Sequence, residues 1–132
     1  MSNQANTERT TETFKQFVAA INGHDVKALA ALMTPDHLFV DSLGNRVQGV
    51  TSMEMGWRGY FTMCPDYRIH IDTLIVERST ALAVGEAGGT IDNVQWRTPA
   101  AWKAMIRDGM VVEWRVFADN KPVYEILAKR KH

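Results

Sequence analysis

The sequence predicts an α+β fold in which helices pack on one face of an antiparallel sheet. Two observations predict it: apolar residues recur at helical spacing from Phe14 to Cys64, and from Pro65 onward apolar and polar residues alternate as in strands. The 132 residues, 45% of them hydrophobic, suffice for one domain with a core and are too few for two. We therefore treat residues 1–132 as a single domain, with residues 1–6 as a flexible N-terminal tail.

Charge and cysteine content exclude several classes of function. Fifteen basic residues balance fifteen acidic ones, so no net field attracts nucleic acid or an anionic membrane. Cys64 is the single cysteine, and neither a signal peptide nor an apolar run of membrane-spanning length is found. The four histidines show no metal-ligand spacing and no phosphate-binding motif is present, so we expect no metal and no cofactor. We expect a cytoplasmic protein whose partner is a small molecule or another protein.

Three helices are predicted ahead of the main run of strands. The first spans about residues 8–21 and ends before Gly23. Asp25 is expected to cap a second, shorter helix. Thr51 and Glu54 have the spacing of a capping box for a third helix. This third helix has an aromatic and sulfur-rich stripe formed by Val50, Met53, Trp57, Tyr60, Phe61 and Cys64.

Five strands are also predicted from the sequence, one before the third helix and four after it. A short strand at residues 38–41 precedes the third helix and ends in Asp41. After Pro65 we predict four strands, at about residues 67–75, 80–90, 96–107 and 110–117. Asp108-Gly109 has the composition of a two-residue hairpin turn between the last two.

A bent sheet and a carboxylate together indicate a ligand cavity. Gly85, Gly88 and Gly89 within one strand indicate bulges or strong bending, and a sheet that curls in this way leaves a cavity beneath the helices. Asp41 would lie at the apolar mouth of that cavity, where loss of hydration raises the pKa of a carboxyl group and suits it to carry a proton. The alternative is that Asp41 caps the turn that begins at Ser42.

The order of these segments resembles the fold of nuclear transport factor 2, which ketosteroid isomerases, scytalone dehydratases and SnoaL-like polyketide cyclases share. The resemblance covers nearly the whole chain and is carried by residues 17–25, the strand ending in Asp41, Gly49 and Trp57, and residues 64–66, 88–90 and 107–120. It implies a cone of three helices packed on a strongly curved, mainly antiparallel sheet that encloses a pocket. Because this fold hosts enzymes, carriers and structural modules, the fold alone does not settle the function.

The resemblance extends to site residues in part. Asp41 falls where ketosteroid isomerases keep the aspartate that moves a proton between substrate carbons. Their two oxyanion donors correspond here to Phe17 and a residue near Trp102, so steroid isomerisation by that mechanism is not expected. Asp119 matches an aspartate common in SnoaL-like chains, some of which use carboxylates in this region as acid or base. Its position before Asn120 equally suits a turn residue.

Aromatic residues complete the candidate site. By the same resemblance, the ligand-contacting residues are Phe17, Trp57, Tyr60, Trp102 and Trp114, although core packing would produce the same pattern. Among the histidines, His70 lies within a predicted strand, where alternation directs it to the outer face, and His37 stands at a strand start.

Two functions remain open from the sequence. The first is a cofactor-independent isomerase, lyase or cyclase that uses Asp41 as acid or base on a small hydrophobic molecule. The second is a non-catalytic module for binding a small molecule or a protein. The resemblance further implies a homodimer formed through the outer sheet face, with Glu113 and Arg115 in the contact.

Overall fold

The computed structural model describes residues 3–131, which form four α-helices and a six-stranded sheet. In chain order the elements are α1 (Asn3–Asn22), α2 (Val26–Ala31), β1 (Met33–Val40), β2 (Arg46–Gln48), α3 (Val50–Met63), β3 (Arg68–Glu77), β4 (Thr80–Ile91), β5 (Val94–Arg107), β6 (Met110–Ala118) and α4 (Lys121–Ala128), followed by a 3-10 turn at Lys129–Lys131. The strand order is β2-β1-β6-β5-β4-β3, with β1 and β6 parallel and the other neighbouring pairs antiparallel. The predicted α+β class and the mainly antiparallel sheet are confirmed.

Helix α1 begins earlier than the sequence predicts. It starts at Asn3, so residues 3–6 are helical and do not form the expected tail, while Met1 and Ser2 lie outside the described residues. Farther along the helix Thr10 is buried, and its hydroxyl donates to the carbonyl of Arg78 at 2.6 Å. This bond ties the N-terminal half of α1 to the turn between β3 and β4.

Strand β1 is also longer than predicted, because it pairs in parallel with β6. Met33 lies beside Val111, and the backbone N–H of Val111 donates to the carbonyl of Leu32 at 2.6 Å. The predicted capping box is wrong, since Gly49 is the N-cap of α3 and Thr51 lies inside the helix without a capping hydrogen bond.

Two local predictions are confirmed. Asp25 caps α2, with its carboxylate accepting a hydrogen bond from the backbone N–H of Ala28 at 3.0 Å. Asp108 and Gly109 form the turn between β5 and β6 with φ of 53° and 73°, the positive values that a two-residue hairpin turn requires.

Two glycines of β4 lie very close to neighbouring atoms. The register of β3 against β4 shifts between Ile71 and Thr73, and a side chain on Gly85 would place its Cβ 1.8 Å from the carbonyl oxygen of His70. A Cβ on Gly89 would lie 2.4 Å from the Cys64 sulfur. The extra residue at the register shift is Asp72 of β3, and β4 pairs with β5 without a shift, so the bulges predicted for the glycine-rich strand are not found there. The glycines instead allow neighbouring atoms to approach the backbone closely.

The core lies between α1 and the concave face of the sheet. Phe14 and Phe17 pack against Trp114 with ring centroids 5.5 Å and 4.7 Å apart, and all three side chains are at most 1% exposed. Aromatic side chains buried in this way contribute strongly to folding, both through their area and through their tilted contacts. This layer forms the floor beneath the candidate site.

Candidate functional site

A cavity of about 340 Å³ lies between α3 and the concave face of the sheet. Its wall is largely apolar, and all four tryptophans of the chain contribute to it: Trp57, Trp96, Trp102 and Trp114. The polar lining residues are Asp41, Ser42, Ser52, Tyr60, Tyr67 and Asn120. An apolar wall with a few polar groups is the usual composition of a small-molecule site.

Asp41 lines this cavity at the end of β1 and is half-buried. Its Oδ1 accepts hydrogen bonds from the backbone N–H groups of Leu43 and Asn45, each at 2.9 Å, and its Oδ2 accepts one from the Asn45 side-chain amide at 3.0 Å. The turn thus supplies three donors, in contrast to the poorly solvated carboxylate expected from the sequence. Because a carboxylate has about four acceptor sites, one site on Oδ2 stays open.

The cavity rim is held together by a contact between distant parts of the chain. The Asn120 amide donates to the Ser42 hydroxyl at 2.8 Å, so the residue that precedes α4 is tied to the residue that follows Asp41. Sequence reasoning did not assign α4 a place in the fold, and it named neither Ser42 nor Asn120 as a site residue. Both residues line the cavity.

The structure brings most of the predicted site residues together. Trp57, Tyr60, Trp102 and Trp114 line the cavity with Asp41. Phe17 does not, because it is fully enclosed between Trp114 and His37, with ring centroids 4.7 Å and 6.2 Å away. Phe17 therefore belongs to the core under the cavity floor.

Asp119 also lies outside the cavity lining. Its side chain is exposed, and its carboxylate accepts a hydrogen bond from the backbone N–H of Lys121 at 3.0 Å, at the start of α4. Its backbone carbonyl accepts a hydrogen bond from the Thr98 hydroxyl at 2.7 Å. These contacts match the turn role that the sequence left open for Asp119, with its carboxylate at a helix N-terminus.

The sequence reasoning also missed aromatic lining residues, among them Tyr67 and Trp96. Tyr67 directly precedes β3, and its ring packs edge-on against Tyr60 with centroids 4.8 Å apart and stacks on Trp96 at 6.2 Å. Strand alternation was a usable signal, because Ile69 and Ile71 share a face with Tyr67. Burial raises the pKa of the phenols of Tyr60 and Tyr67 well above their usual range, so both remain protonated.

The position of His37 also differs from the prediction, because His37 lies within β1 and not at a strand start. It is fully buried, and its Nδ1 lies 2.7 Å from the carbonyl oxygen of Val111, so Nδ1 carries the proton and donates. Its Nε2 is buried and has no hydrogen-bond partner in the described part of the chain. Burial lowers the pKa of His37 below its ordinary value. His37 does not line the cavity.

Other kinds of site were also considered. Within residues 3–131, no three His, Cys, Asp or Glu side chains converge in a way that would hold a metal ion. Cys64 is buried, and burial raises the pKa of its thiol, the opposite of what an activated nucleophile needs. Among the described helices, none combines the length and apolar character that a membrane span requires.

Comparison with solved structures supports the fold. A candidate SnoaL-like polyketide cyclase from Jannaschia sp. CCS1 matches with a TM-score of 0.81 and 18% identity over 89% of this chain and 90% of its own. An LEH-like epoxide hydrolase from M. tuberculosis matches with a TM-score of 0.80 and 15% identity over 93% and 92%. A protein with a ketosteroid isomerase-like fold from Catenulispora acidiphila DSM 44928, in complex with trimethylamine, matches with a TM-score of 0.74 and 18% identity over 80% and 84%.

Comparison of the sequence gives the family directly. None of the curated proteins compared with the chain matches it. The family model of the SnoaL-like domain matches residues 14–121, which include α2, α3 and the whole sheet. The chain therefore belongs to the SnoaL-like domain family.

Proposed function

We propose that this protein binds a small apolar molecule in the cavity under α3 and that Asp41 acts on it as acid or base, in a cofactor-independent isomerase, lyase or cyclase reaction. The observation that carries the proposal is the position of Asp41 in the lining of a cavity walled by four tryptophans. Tryptophan side chains hold flat apolar molecules, and a carboxylate at the edge of such a site is placed to exchange a proton with them.

The contacts of Asp41 define how it would carry the proton. Three hydrogen bonds fix the carboxylate and leave one site on Oδ2 open. In the proposed step, Oδ2 takes a proton from the carbon next to a ligand carbonyl, and the electron pair of the broken C–H bond moves toward the carbonyl oxygen. Return of the proton to another carbon completes an isomerisation. Expulsion of a leaving group completes an elimination.

One observation favours a second function, a non-catalytic binding module. The same three hydrogen bonds make Asp41 the organising residue of the turn at residues 41–45, a structural role that requires no chemistry. The cavity would then bind its ligand unchanged. The two functions differ in one measurable property, the labilisation of a ligand proton.

Deuterium exchange separates the two functions. We would incubate the protein in D₂O with 1-tetralone, a two-ring ketone with exchangeable C–H bonds next to its carbonyl, and follow loss of those proton signals by NMR. The wild-type protein is expected to accelerate exchange above the buffer rate, and Asp41→Asn to lower the acceleration by about 100-fold or more, the usual contribution of a general base. Asparagine keeps a side-chain oxygen for the turn, and Asp119→Asn, outside the cavity lining, is the matched control.

Each outcome of the exchange experiment has a definite meaning. Binding of 1-tetralone without accelerated exchange supports the non-catalytic module and removes the proposed role of Asp41. Equal loss of exchange in Asp41→Asn and Asp119→Asn contradicts a specific role for Asp41. If neither 1-tetralone nor tetralin, the same two-ring compound without the carbonyl, binds in isothermal titration calorimetry, the assignment of the cavity as a site for small apolar molecules is wrong.

We also propose a homodimer formed through the outer face of the sheet. Leu82, Val84 and Phe117 are 50%, 56% and 48% exposed there, and the Arg115 guanidinium lies 5.1 Å from the Phe117 ring centroid. A contiguous exposed apolar patch on a small domain favours association. Val84→Glu is expected to convert a dimer into a monomer in analytical ultracentrifugation, whereas Val94→Glu, near the turn between β4 and β5, leaves it intact. A monomeric wild-type protein at micromolar concentration would contradict the proposal.

A further inference from the structure

The charge of the cavity lining restricts what it can hold. Within the described part of the chain, the lining contains no Lys, Arg or His, and Asp41 is its one carboxylate. An anionic ligand would therefore meet a negative group and no compensating cation, at a high desolvation cost. A cation would be attracted by Asp41, but it would lose its hydration in an apolar cavity and find only one acceptor site of that carboxylate unoccupied. An uncharged ligand avoids both problems.

The volume of the cavity restricts the size of the ligand. A cavity of roughly 150 Å³ encloses one benzene ring. At about 340 Å³, the cavity here is about twice that size. It therefore fits a compound of two fused rings, and a four-ring compound would protrude through the mouth.

The hydrogen-bond donors of the wall restrict the polarity of the ligand. The indole nitrogens of Trp57 and Trp96 are buried in the cavity wall and have no hydrogen-bond partner in the described residues. The phenols of Tyr60 and Tyr67 differ, because both side chains stay partly open and line the cavity. Neither hydroxyl forms a hydrogen bond within residues 3–131. A ligand oxygen would supply the missing acceptor.

Tyr67 is held in place before any ligand arrives. The carbonyl of Tyr67 accepts a hydrogen bond from His24 Nε2 at 2.8 Å, and the His24 ring stacks on Phe61 with centroids 4.2 Å apart. The preceding turn is fixed by Asp66, whose carboxylate accepts hydrogen bonds from the backbone N–H and the hydroxyl of Thr90 at 2.7 Å and 2.8 Å. A donor fixed in this way loses little entropy when it binds an acceptor.

We propose that the cavity selects an uncharged, flat compound of two fused rings whose carbonyl oxygen accepts hydrogen bonds from the hydroxyls of Tyr60 and Tyr67. This inference rests on the proposed function, since it assumes that the cavity takes up a small apolar molecule. It adds the size, charge and polarity of that molecule. It also assigns Tyr60 and Tyr67 as the residues that determine specificity for an oxygen acceptor.

Four bicyclic probes test the proposal by isothermal titration calorimetry at pH 7. 1-Tetralone carries the carbonyl, tetralin lacks it, 1-naphthoate is an anion and 1-naphthylmethylamine is a cation at this pH. 1-Tetralone is expected to bind about three- to tenfold more tightly than tetralin, the effect of a net hydrogen bond. The two charged probes are expected to bind more weakly than 1-tetralone.

Substitution of Tyr60 and Tyr67 tests whether their hydroxyls cause the preference for 1-tetralone over tetralin. Tyr60→Phe and Tyr67→Phe are each expected to lower the affinity for 1-tetralone about three- to tenfold and to leave the affinity for tetralin unchanged. Tyr124→Phe is the matched control, because Tyr124 is exposed and does not line the cavity. Circular dichroism of each variant confirms that the fold is retained.

The results separate failure of this inference from failure of the proposed function. If tetralin binds as tightly as 1-tetralone, or a charged probe binds more tightly, the cavity takes up small molecules but the inference is wrong. If the tyrosine variants keep the full preference for the ketone, Tyr60 and Tyr67 do not determine specificity and the inference is wrong. If none of the four probes binds, both the proposed function and the inference are overturned.

Discussion

Mild acid is expected to destabilise this protein because His37 is buried in its neutral form. His37 is 0% exposed, its Nδ1 donates to the carbonyl of Val111 at 2.7 Å, and burial lowers its pKa. The hydrogen bond to Val111 and the charges of Asp36 and Glu113 oppose this effect of burial on the pKa without overcoming it. In the unfolded chain the histidine regains an ordinary pKa near 6.5.

The direction of the pH dependence follows from proton uptake. Below about pH 6.5 the unfolded chain binds a proton at His37 that the folded chain does not, so the free energy of unfolding falls as the pH falls. One proton corresponds to at most about 1.4 kcal/mol per pH unit, and the loss continues down to the lowered pKa of the folded state. Above pH 7 the histidine is neutral in both states and contributes no slope.

Urea denaturation between pH 5 and pH 7.5 measures this effect. His37→Gln removes the titrating group and keeps a side-chain amide that can donate to the carbonyl of Val111. The wild-type protein is expected to lose up to about 1.4 kcal/mol more per pH unit below pH 6.5 than this variant. His70→Gln is the control, because the His70 side chain is 71% exposed. Equal slopes for the wild-type protein and His37→Gln would refute the reasoning.

Two further predictions concern stability. Gly89→Ala is expected to lower the free energy of unfolding by about 1–3 kcal/mol, because its Cβ would lie 2.4 Å from the Cys64 sulfur. Gly59→Ala is expected to raise the free energy of unfolding by about 0.5–1 kcal/mol, because a Cβ at this position of α3 meets nothing within 4 Å. Thermal melts compare the two variants. A Gly89→Ala protein as stable as the wild type would disprove the close approach. Asp25→Ala is expected to cost about 1 kcal/mol through loss of the cap on Ala28, measured by urea denaturation, and an unchanged midpoint would contradict that role.

The fold was predictable because each long element carries its own period. Helix α3 and the strands β3 to β6 show clear helical or alternating patterns, and their order identified the architecture. The short strand β2 was missed because its three residues are all exposed and form no pattern. The first half of β1 depends on pairing with the distant strand β6, which local sequence does not report.

The residues of the candidate site were predictable only where helical spacing or strand alternation fixes the direction of a side chain. Trp57 and Tyr60 lie on the inner face of α3, so helical spacing directs both to the cavity lining. Tyr67 precedes its strand and was assigned no role, although alternation from Ile69 directs it inward. For Phe17 the period is equally clear, but the depth at which the cavity ends depends on how Trp114 fills the space above it.

Several predictions made from the sequence await experiment. These are the role of Asp41, the ligand and the dimer. The ligand-binding proposal gains from the four tryptophans that line the same cavity as Asp41. The dimer proposal depends on a different surface, the outer face of the sheet, and its test is independent.

Deuterium exchange into 1-tetralone, compared between the wild-type protein and Asp41→Asn, tests the central claim most directly. Asp41 lines the cavity with one acceptor site of its carboxylate open. The account predicts accelerated exchange by the wild-type protein and an acceleration about 100-fold lower in the variant, with the affinity for the ketone little changed. Equal acceleration by both proteins would contradict it.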